Sequence, residues 1–329
     1  MPPLSYELIN HFKELQPALL HHQLEATLNP QDFSLEVRHG SQRMVLHPQF
    51  TQPTKDAVVY VSMFSQAVKR FIGWRPAYER SWPLSVEKIE FKKFMNAHLL
   101  PTPRYWRAPA PGMPHVIVKK NCSSFSEGIR GPFADASGIT LNAEQGEYFE
   151  EFTPGNIIKI WYWNSEPIAI EETEMLSVIG DGISNIGDII ACHVHMLGLK
   201  GHNLKQYESF LAYQGKTLKT VLKRNEVCAI EFRYNSELPT LRMRDIRVGE
   251  EPFYGLEGLL KAAGHHLWNA IPQDRRNDVV FSVDAMLDRQ KRLWFLELTA
   301  NPYVHPYVYP HMMRSIKNTL ASRQSTAQA

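Results

Sequence analysis

The sequence has few cysteines and no long apolar run. Its three cysteines, Cys122, Cys192 and Cys228, lie far apart and form no CxxC pair, which supports neither a zinc site nor a disulfide framework. No apolar stretch reaches the roughly 18 residues that a membrane-spanning helix needs. The N-terminal segment also lacks the basic start and apolar run of a signal peptide. These absences predict a cytoplasmic protein with reduced thiols.

The sequence has almost no excess of charge of either sign. It contains 36 Lys and Arg and 34 Asp and Glu among 329 residues, for a formal net charge of +2. This balance gives no electrostatic case for a nucleic-acid or membrane partner, so any anion would have to bind in a local basic pocket. The hydrophobic fraction of 43% is sufficient for a large core. The length predicts about two domains, or one domain of several lobes.

Helical and strand patterns alternate along the chain. Predicted helices cover residues 6–28, 68–72, 85–100 (with Ser85 as N-cap), 217–224 and 255–270, and predicted strands cover 57–63, 105–108, 115–120, 146–152, 156–163, 167–174, 227–234, 239–246, 279–287 and 293–298, with a hairpin around His39-Gly40. Tight turns such as Asn164-Ser165-Glu166 imply antiparallel pairs in the second half. This pattern argues against a doubly wound parallel sheet and favours an α/β protein of the α+β type.

Two acidic residues, Asp284 and Glu297, lie in strands predicted to pair as a hairpin. Carboxylates on adjacent antiparallel strands can face the same side, where they repel each other unless a divalent cation lies between them. Glu297 also stands between Leu296 and Leu298, and a carboxylate in so apolar a strand is costly unless it is paired. The pattern favours a Mg²⁺ site, although two solvated hairpin carboxylates have the same spacing.

A second segment is the strand of Val116–Val118, which leads into Lys119 and the serine-rich loop NCSSFSEG. Backbone N–H groups and the hydroxyls of Ser124 and Ser126 can donate to a phosphate, and Lys119 can neutralise it. Gly128 lets the chain close in. The Walker pattern GxxxxGK[ST] is absent, and most serine-rich loops are ordinary loops.

Two further segments are weaker candidates. Tyr148–Gly155 is a strand running into a Pro-Gly turn, which can present backbone groups to a flat base but fits an ordinary strand end equally well. Arg233 leaves the strand CAIEFR, and arginine suits a bidentate contact with phosphate or carboxylate. Lys88 and Lys159 are comparable cations, and each of the three could also be a surface charge. The HxH pair at 193–195 lacks a third metal ligand, which favours a structural or surface role.

Together these segments resemble the ATP-grasp superfamily, in particular its cyanophycin synthetase, glutathione synthetase and D-alanine–D-alanine ligase-like group. The resemblance runs from about Lys88 to Pro302, with the motifs in the family's order. VIVKK is similar to the family's "vvKP" strand, FEEFTPG to its "vEEfipG" hinge, and FSVDAML with FLELTANP to its paired metal strands. SVIGDGISNIGDII resembles the "vvGDG..tI.eLi" segment. The resemblance implies an ATP-grasp fold of three lobes, at residues 1–84, 85–155 and 156–329, with ATP held between two mostly antiparallel sheets.

The resemblance also assigns roles to individual residues. Those assigned to ATP are Lys88, Lys119, Ser124, Ser126, Gly128, Glu150, Glu151, Phe152 and Lys159. Asp284, Glu297 and Asn301 would hold Mg²⁺, with Mn²⁺ as a substitute. Arg233 would steady the transferred phosphoryl group. The chain departs from the family at the metal, because Thr299 fills the usual asparagine position and Asn301 follows two residues later.

The implied reaction begins with attack of a substrate carboxylate on the γ-phosphate of ATP, which gives an acylphosphate and ADP. An amine then displaces the phosphate. We therefore expect a carboxylate–amine ligase whose substrates are small molecules, namely amino acids or peptides. The sequence leaves open whether the protein forms a homodimer. Two other functions also fit the motifs: an ATP-binding protein that has lost turnover, and a small-molecule kinase on the same fold.

Overall fold

The computed structural model describes residues 4–53, 58–77, 80–123, 126–199, 201–233, 238 and 243–328. Within these ranges the helices are α1 (Leu4–His21), α2 (Lys88–Ala97), α3 (Ile186–Met196), α4 (Glu208–Tyr213), α5 (Glu257–Asn269) and α6 (Tyr309–Gln328). None of the helices in the described part of the chain is long and apolar enough to cross a membrane.

The strands complete the order of elements. They are β1 (Glu25–Leu28), β2 (Leu35–His39), β3 (Gln42–Pro53), β4 (Val58–Val61), β5 (Arg70–Arg75), β6 (Tyr105–Trp106), β7 (Val116–Lys120), β8 (Arg130–Phe133), β9 (Glu147–Glu151), β10 (Gly155–Trp163), β11 (Glu166–Thr173), β12 (Leu176–Ile179), β13 (Val227–Glu231), β14 (Met243–Arg247), β15 (Val280–Asp288) and β16 (Leu293–Thr299).

Neighbouring strands in all of the described sheets are antiparallel. β1–β5 form an N-terminal sheet, β6-β9-β7-β8 form a four-stranded sheet, β14-β11-β10-β15-β16 form a central sheet, and β12 pairs with β13. Short turns join β10 to β11 and β15 to β16, because a hairpin connection suffices for antiparallel neighbours. The predicted combination of helices with mostly antiparallel sheets is confirmed.

Alternation along β10 gives the central sheet two different faces. Ile160 and Tyr162 point towards α5, where they pack with Leu260 and Leu267 in the largest apolar core. The intervening residues point to the other face, so that Trp161 lies in a second core with the N-terminal sheet, α1 and α6. The second core covers one end of this face and leaves the other end for the site described below.

The structure corrects three of the predicted elements. Residues 25–28 leave the predicted N-terminal helix and form β1, because Ala26 and its neighbours pair with β2. Of the predicted helix over 68–72, residues 70–72 belong to strand β5, which pairs with β3, and Phe71 is 1% exposed. The predicted helix over 217–224 consists of turns, with Val221 forming an isolated bridge to Asn185.

Helix α2 begins later than predicted. Ser85 belongs to a short 3-10 turn, where its hydroxyl donates to the carbonyl of Trp82. The α-helix starts at Lys88, and the side chain of Asn121 accepts a hydrogen bond from the backbone N–H of Ile89 at 2.9 Å. A residue distant in sequence therefore satisfies an N-terminal donor of this helix, which local capping patterns cannot indicate.

Candidate active site

A row of charged side chains crosses the open face of the central sheet. Strand register places Glu171, Lys159, Asp284 and Glu297 directly opposite one another on four consecutive strands. Directly opposite residues of antiparallel strands point to the same face with their Cβ atoms about 5 Å apart. The Nζ atom of Lys159 lies 2.7 Å from Oδ1 of Asp284. The row therefore unites the two predicted metal carboxylates with a predicted nucleotide-binding lysine.

Asp284 and Glu297 are each neutralised by a lysine. Lys159 contacts Asp284, and the Nζ atom of Lys88 lies 2.7 Å from Oε2 of Glu297. The side chains of the carboxylates are 24% and 29% exposed, whereas both lysine side chains are 8% exposed. The carboxylates thus reach the surface of the cleft, with their cations behind them.

The two carboxylates have pKa values shifted in opposite directions. Burial raises the pKa of Asp284, and the charge of Glu297 adds to this, so that Lys159 offsets only part of the shift. Burial also acts to raise the pKa of Glu297, but Lys88 and Lys119 outweigh it, so that this pKa lies below its usual range. The pKa values of two adjacent carboxylates move apart in this way when one of them has more positive charge nearby than the other.

The donor set fits Mg²⁺. Among the residues that the structure describes, no three His, Cys, Asp or Glu side chains converge to form a metal site, so these residues offer the paired carboxylates of Asp284 and Glu297 at this point. Mg²⁺ in proteins commonly binds one or two carboxylates and completes its octahedron with phosphate oxygens and water. Lys159 and Lys88 compensate the charges of Asp284 and Glu297, as a bound metal ion would.

Asn301, the third predicted metal ligand, is hydrogen-bonded to arginines of the N-terminal part of the chain in this structure. Its Oδ1 atom accepts hydrogen bonds from Nη1 of Arg75 at 2.7 Å and from the backbone N–H of Arg80 at 2.9 Å, and its Nδ2 donates to the carbonyl of Arg80. The amide thus joins the end of the central sheet to the N-terminal segment. Thr299 lies two residues from Glu297 on the same strand and face, opposite Ser282.

A second charged group, in the four-stranded sheet, lies beside Lys119. Glu150 is 2% exposed, and its two oxygens contact different lysines. Oε1 lies 3.1 Å from Nζ of Lys119, and Oε2 lies 2.8 Å from Nζ of Lys92 on α2. The hydroxyl of Tyr148 donates to the same Oε2 atom at 3.2 Å. A fully enclosed carboxylate is thus held by three donors.

These contacts keep the group charged. Burial acts to raise the pKa of Glu150, but Lys119 and Lys92 outweigh it and bring the pKa to about 2. Burial acts to lower the pKa of Lys119, yet Glu150 and Glu297 outweigh it, so that this pKa lies above its usual value. Glu150 and Lys119 are therefore both ionised near neutral pH.

The cleft between the two sheets contains most of the predicted site. It has a volume of about 660 Å³, part of it open to solvent. Its walls include the predicted residues Lys119, Ser126, Glu150, Glu151, Phe152, Arg233, Asp284 and Glu297, and an apolar group made of Pro103, Ile117, Ile129, Ile157, Phe232, Met286 and Leu296. One end is thus apolar and the other charged, which suits a molecule with a flat base and an anionic tail.

The predicted hinge contributes differently from residue to residue. The side chain of Phe152 packs among Ile117, Phe210 and Phe232 below the apolar end of the cleft. Glu151 holds Arg104 through two oxygens, at 2.9 and 3.1 Å. Among the contacts of the described residues, Glu150 is the only one of these three hinge residues that pairs with Lys119, the lysine predicted to bind phosphate.

The predicted phosphate loop adjoins the charged end of the cleft, which Ser126 lines together with Lys119. Ser126 has a φ of +58°, and Gly128 has a φ of +74° with the side chain of Lys120 packed so closely that a Cβ atom would lie 2.7 Å from its Cε. The positive φ favours glycine at this position, whereas the flexible end of Lys120 can move aside for a larger side chain. Lys88 donates to the carbonyl of Ser123, at the start of the loop. Ser124 lies outside the described residues.

Arg233 lies at the far side of the cleft and is held by one carboxylate. Its Nε and Nη2 atoms donate to Glu231 at 2.9 and 2.6 Å. Hydrogen bonding to Glu231 raises the pKa of the guanidinium above its usual value. This pairing orients the planar group before any ligand arrives.

Sequence reasoning missed Lys92, Tyr148 and Glu231 as site residues. Lys92 follows Lys88 by one helical turn, so the spacing on the predicted helix was available as a signal. Nothing local indicated that it is completely buried, since its partner Glu150 lies on another element. His193 and His195, the HxH pair, lie on helix α3.

The sequence matches no protein-family model and no curated protein. The structure is similar to several solved structures. A bifunctional glutathione synthetase from Pasteurella multocida is 14% identical with a TM-score of 0.41, over 94% of this chain and 43% of that chain. A D-alanine–D-alanine ligase from Bacillus anthracis is 14% identical with a TM-score of 0.40, over 75% of this chain and 70% of that one. The ATP-grasp ligase PsnB is 10% identical with a TM-score of 0.38, over 71% of this chain and 60% of that one.

All three of these similar structures are of ligases, and PsnB is described as an ATP-grasp ligase. The chain spans less than half the length of the glutathione synthetase, 43% of it. At TM-scores of 0.41 or lower, this likeness carries no argument about activity.

Proposed function

We propose that this protein is an ATP- and Mg²⁺-dependent carboxylate–amine ligase, with its cleft between lobes at residues 85–155 and 156–329. The observation that supports this most is that one cleft contains three features: an apolar slot, Lys119 as a cation for phosphate, and the paired carboxylates Asp284 and Glu297. A site for inorganic phosphate or for an apolar ligand would need only part of this set.

The apolar slot would take the adenine ring. Ile117, Ile157 and Met286 line it with side chains from both sheets, and stacking between apolar side chains suits a flat base. Glu150 stands opposite Ile117 of the slot in the strand register, and its carboxylate pairs with Lys119. Lys119, Ser126 and the neighbouring loop would contact the phosphates.

Asp284 and Glu297 would hold Mg²⁺ against the phosphates, and the bound ion would supply positive charge that offsets charge on the transferred phosphoryl group. Lys88 and Lys159 neutralise these carboxylates in the present structure. With the ion bound, the two lysines would be available to phosphate oxygens. Thr299, on the same face as Glu297, could add an oxygen.

The reaction would proceed in two steps. A carboxylate oxygen of the substrate attacks the γ-phosphorus of ATP, forming an O–P bond while the bond to the ADP oxygen breaks. The guanidinium of Arg233, oriented by Glu231, would stabilise the charge on the transferring group. An amine then attacks the acyl carbon, inorganic phosphate leaves, and the new amide loses a proton.

The charged row supports amino acids or peptides as substrates. Beyond Lys159 it continues to Glu171, which accepts a hydrogen bond from the hydroxyl of Tyr303 at 2.8 Å. The ring of Tyr303 lies 5.9 Å from Nζ of Lys159. Glu171, with the hydroxyl of Tyr303 beside it, can hold the ammonium group of an amino acid or peptide at this end of the row.

The test is ADP release from ATP with mixtures of amino acids and short peptides, combined with mass spectrometry of the products. The proposal predicts that ADP release needs both an acid and an amine, and that the product is lighter by one water than the two substrates together. Release that needs only one substrate, with a stable phosphorylated product, would indicate a kinase. ATP binding without turnover across a broad panel would indicate a protein that has lost catalysis.

A further inference from the structure

Lys92 is the most completely buried lysine of the described residues and has no role in the reaction above. It is 0% exposed and lies one helical turn after Lys88 on α2. A lysine at such depth is costly unless its charge is compensated. Its Nζ atom lies 2.8 Å from Oε2 of Glu150, and the other oxygen of Glu150 contacts Lys119. One buried carboxylate therefore has two cations.

The two lysines differ in their surroundings. Lys119 lines the cleft, whereas Lys92 does not. The Nζ atom of Lys92 also donates to Oγ1 of Thr102 at 3.3 Å, and this hydroxyl donates to the carbonyl of Phe295 at 2.8 Å. Lys92 is thus anchored to the loop after α2 and, through it, to β16. Lys119 is the cation that a ligand in the cleft can reach.

We propose that Lys92 is a positioning residue for ATP binding, which keeps Glu150 compensated when Lys119 turns from this carboxylate to the phosphates. The inference rests on the proposed function, in which Lys119 binds phosphate. A buried carboxylate that loses its last cation is strongly destabilised. Without Lys92, Lys119 would be the last cation of Glu150, and each phosphate contact would have to compete with that ion pair.

The chemistry of the ligand separates this role from a purely structural one. ATP and ADP draw Lys119 away from Glu150, because their phosphates are anionic. Adenosine occupies the apolar slot without phosphates and leaves the Lys119–Glu150 pair intact. Loss of Lys92 should therefore weaken binding of the nucleotides and spare binding of the nucleoside, whereas a distorted cleft would weaken both.

The experiment measures dissociation constants of the full chain for ATP, ADP and adenosine by calorimetry. For Lys92→Met we expect the Kd of ATP and ADP to rise at least about tenfold, which is about 1.4 kcal/mol, and that of adenosine to change less than about twofold. The matched control is Lys93→Met, because the neighbouring Lys93 is 52% exposed in its side chain and pairs with Glu90 at the surface. It should leave all three constants unchanged.

A second pair of variants tests the mechanism. In the Glu150→Gln background the side chain is neutral and needs no cation, so that Lys92→Met should cost ATP affinity less than about threefold there. An equal penalty in both backgrounds, an unchanged ATP affinity in Lys92→Met, or an equal loss for adenosine would overturn the inference. Failure of the wild-type protein to bind ATP would overturn the proposed function itself, which distinguishes the two failures.

Discussion

Each predicted phosphate-binding cation of the site is paired with a carboxylate in the structure. Lys88 contacts Glu297, Lys159 contacts Asp284, and Lys119 shares Glu150 with Lys92. Pairing of this kind lets a cleft hold several charges in a protein of small net charge. It also means that binding of a metal–nucleotide complex would be an exchange of partners, in which the metal replaces lysines at the carboxylates and phosphates replace carboxylates at the lysines.

The variant Glu297→Gln tests the metal role at the residue scale. It keeps the size of the side chain and removes the charge, so we expect ATP turnover to fall at least about 100-fold and the Kd of ATP to rise much less, because the base slot and Lys119 remain. Turnover and nucleotide binding are measured on the same preparation, with Glu250→Gln at an exposed site as the control. Unchanged turnover in Glu297→Gln would contradict the assignment of this carboxylate.

Residue types and the family resemblance together predict a part of this site. Asp284, Glu297 and Lys119 stand in strands whose patterns are clear in the sequence, and the resemblance adds Glu150. Asn301 shows the limit, because its amide is held by Arg75 and Arg80 from a distant part of the chain. Ionic and hydrogen-bond partners more than 200 positions away leave no local pattern.

At the scale of elements, the hairpins were predicted most closely. Strands β15 and β16 lie within one residue of their predicted ranges, because the apolar residues and the tight turn between them both indicate a hairpin. The sequence predicts helices at β1 and β5, because their few apolar residues fit the helix period as well as the strand period. They are strands because they pair with β2 and β3. Tertiary pairing decides such short segments.

Helix α5 offers a test of how closely an element packs on the central sheet. A Cβ atom added at Gly264 would lie 2.2 Å from the carbonyl oxygen of Ser165, whereas one added at Gly258 would meet nothing within 4 Å. We expect Gly264→Ala to lower the free energy of unfolding by about 3 kcal/mol, because the helix must shift from the sheet.

The matched variant Gly258→Ala lies on the same helix in open space, and should raise the free energy of unfolding by up to about 1 kcal/mol through helix propensity. Chemical denaturation of both proteins gives the comparison. Equal stabilities of the two variants would contradict the close approach of α5 to the β10–β11 turn.

At the scale of the whole molecule, buried side chains join the two ends of the chain. Nδ1 of His11 on α1 lies 2.8 Å from the hydroxyl of Tyr309 at the start of α6, and this hydroxyl accepts a hydrogen bond from the backbone N–H of Trp74. His11 also packs edge-on against Phe71. Helix α1 and strand β5 are thus fixed to the last helix.

This junction predicts a pH dependence of stability. Burial, with a smaller effect of His305, lowers the pKa of His11 from 6.5 to about 3, so the unfolded chain binds a proton there that the folded protein does not. The resulting stability is present above pH 6.5 and is lost as the pH falls from 6.5 towards 3. Between pH 7 and pH 5 this one group should cost about 2 kcal/mol.

Urea denaturation of the wild type and of His11→Gln at both pH values isolates this contribution, because glutamine does not titrate. The variant should lose about 2 kcal/mol less than the wild type between pH 7 and pH 5. Parallel losses in the two proteins would show that His11 is not buried in its neutral form.

The central claim is that a substrate carboxylate attacks ATP in the cleft between the two sheets, and isotope transfer tests it most directly. The acid of an acid–amine pair that supports ADP release is labelled with ¹⁸O in its carboxylate, and the released phosphate is analysed by mass spectrometry. An acylphosphate requires that one ¹⁸O atom move from the acid to each phosphate. Unlabelled phosphate, or ADP release with no acid–amine pair, would contradict the account.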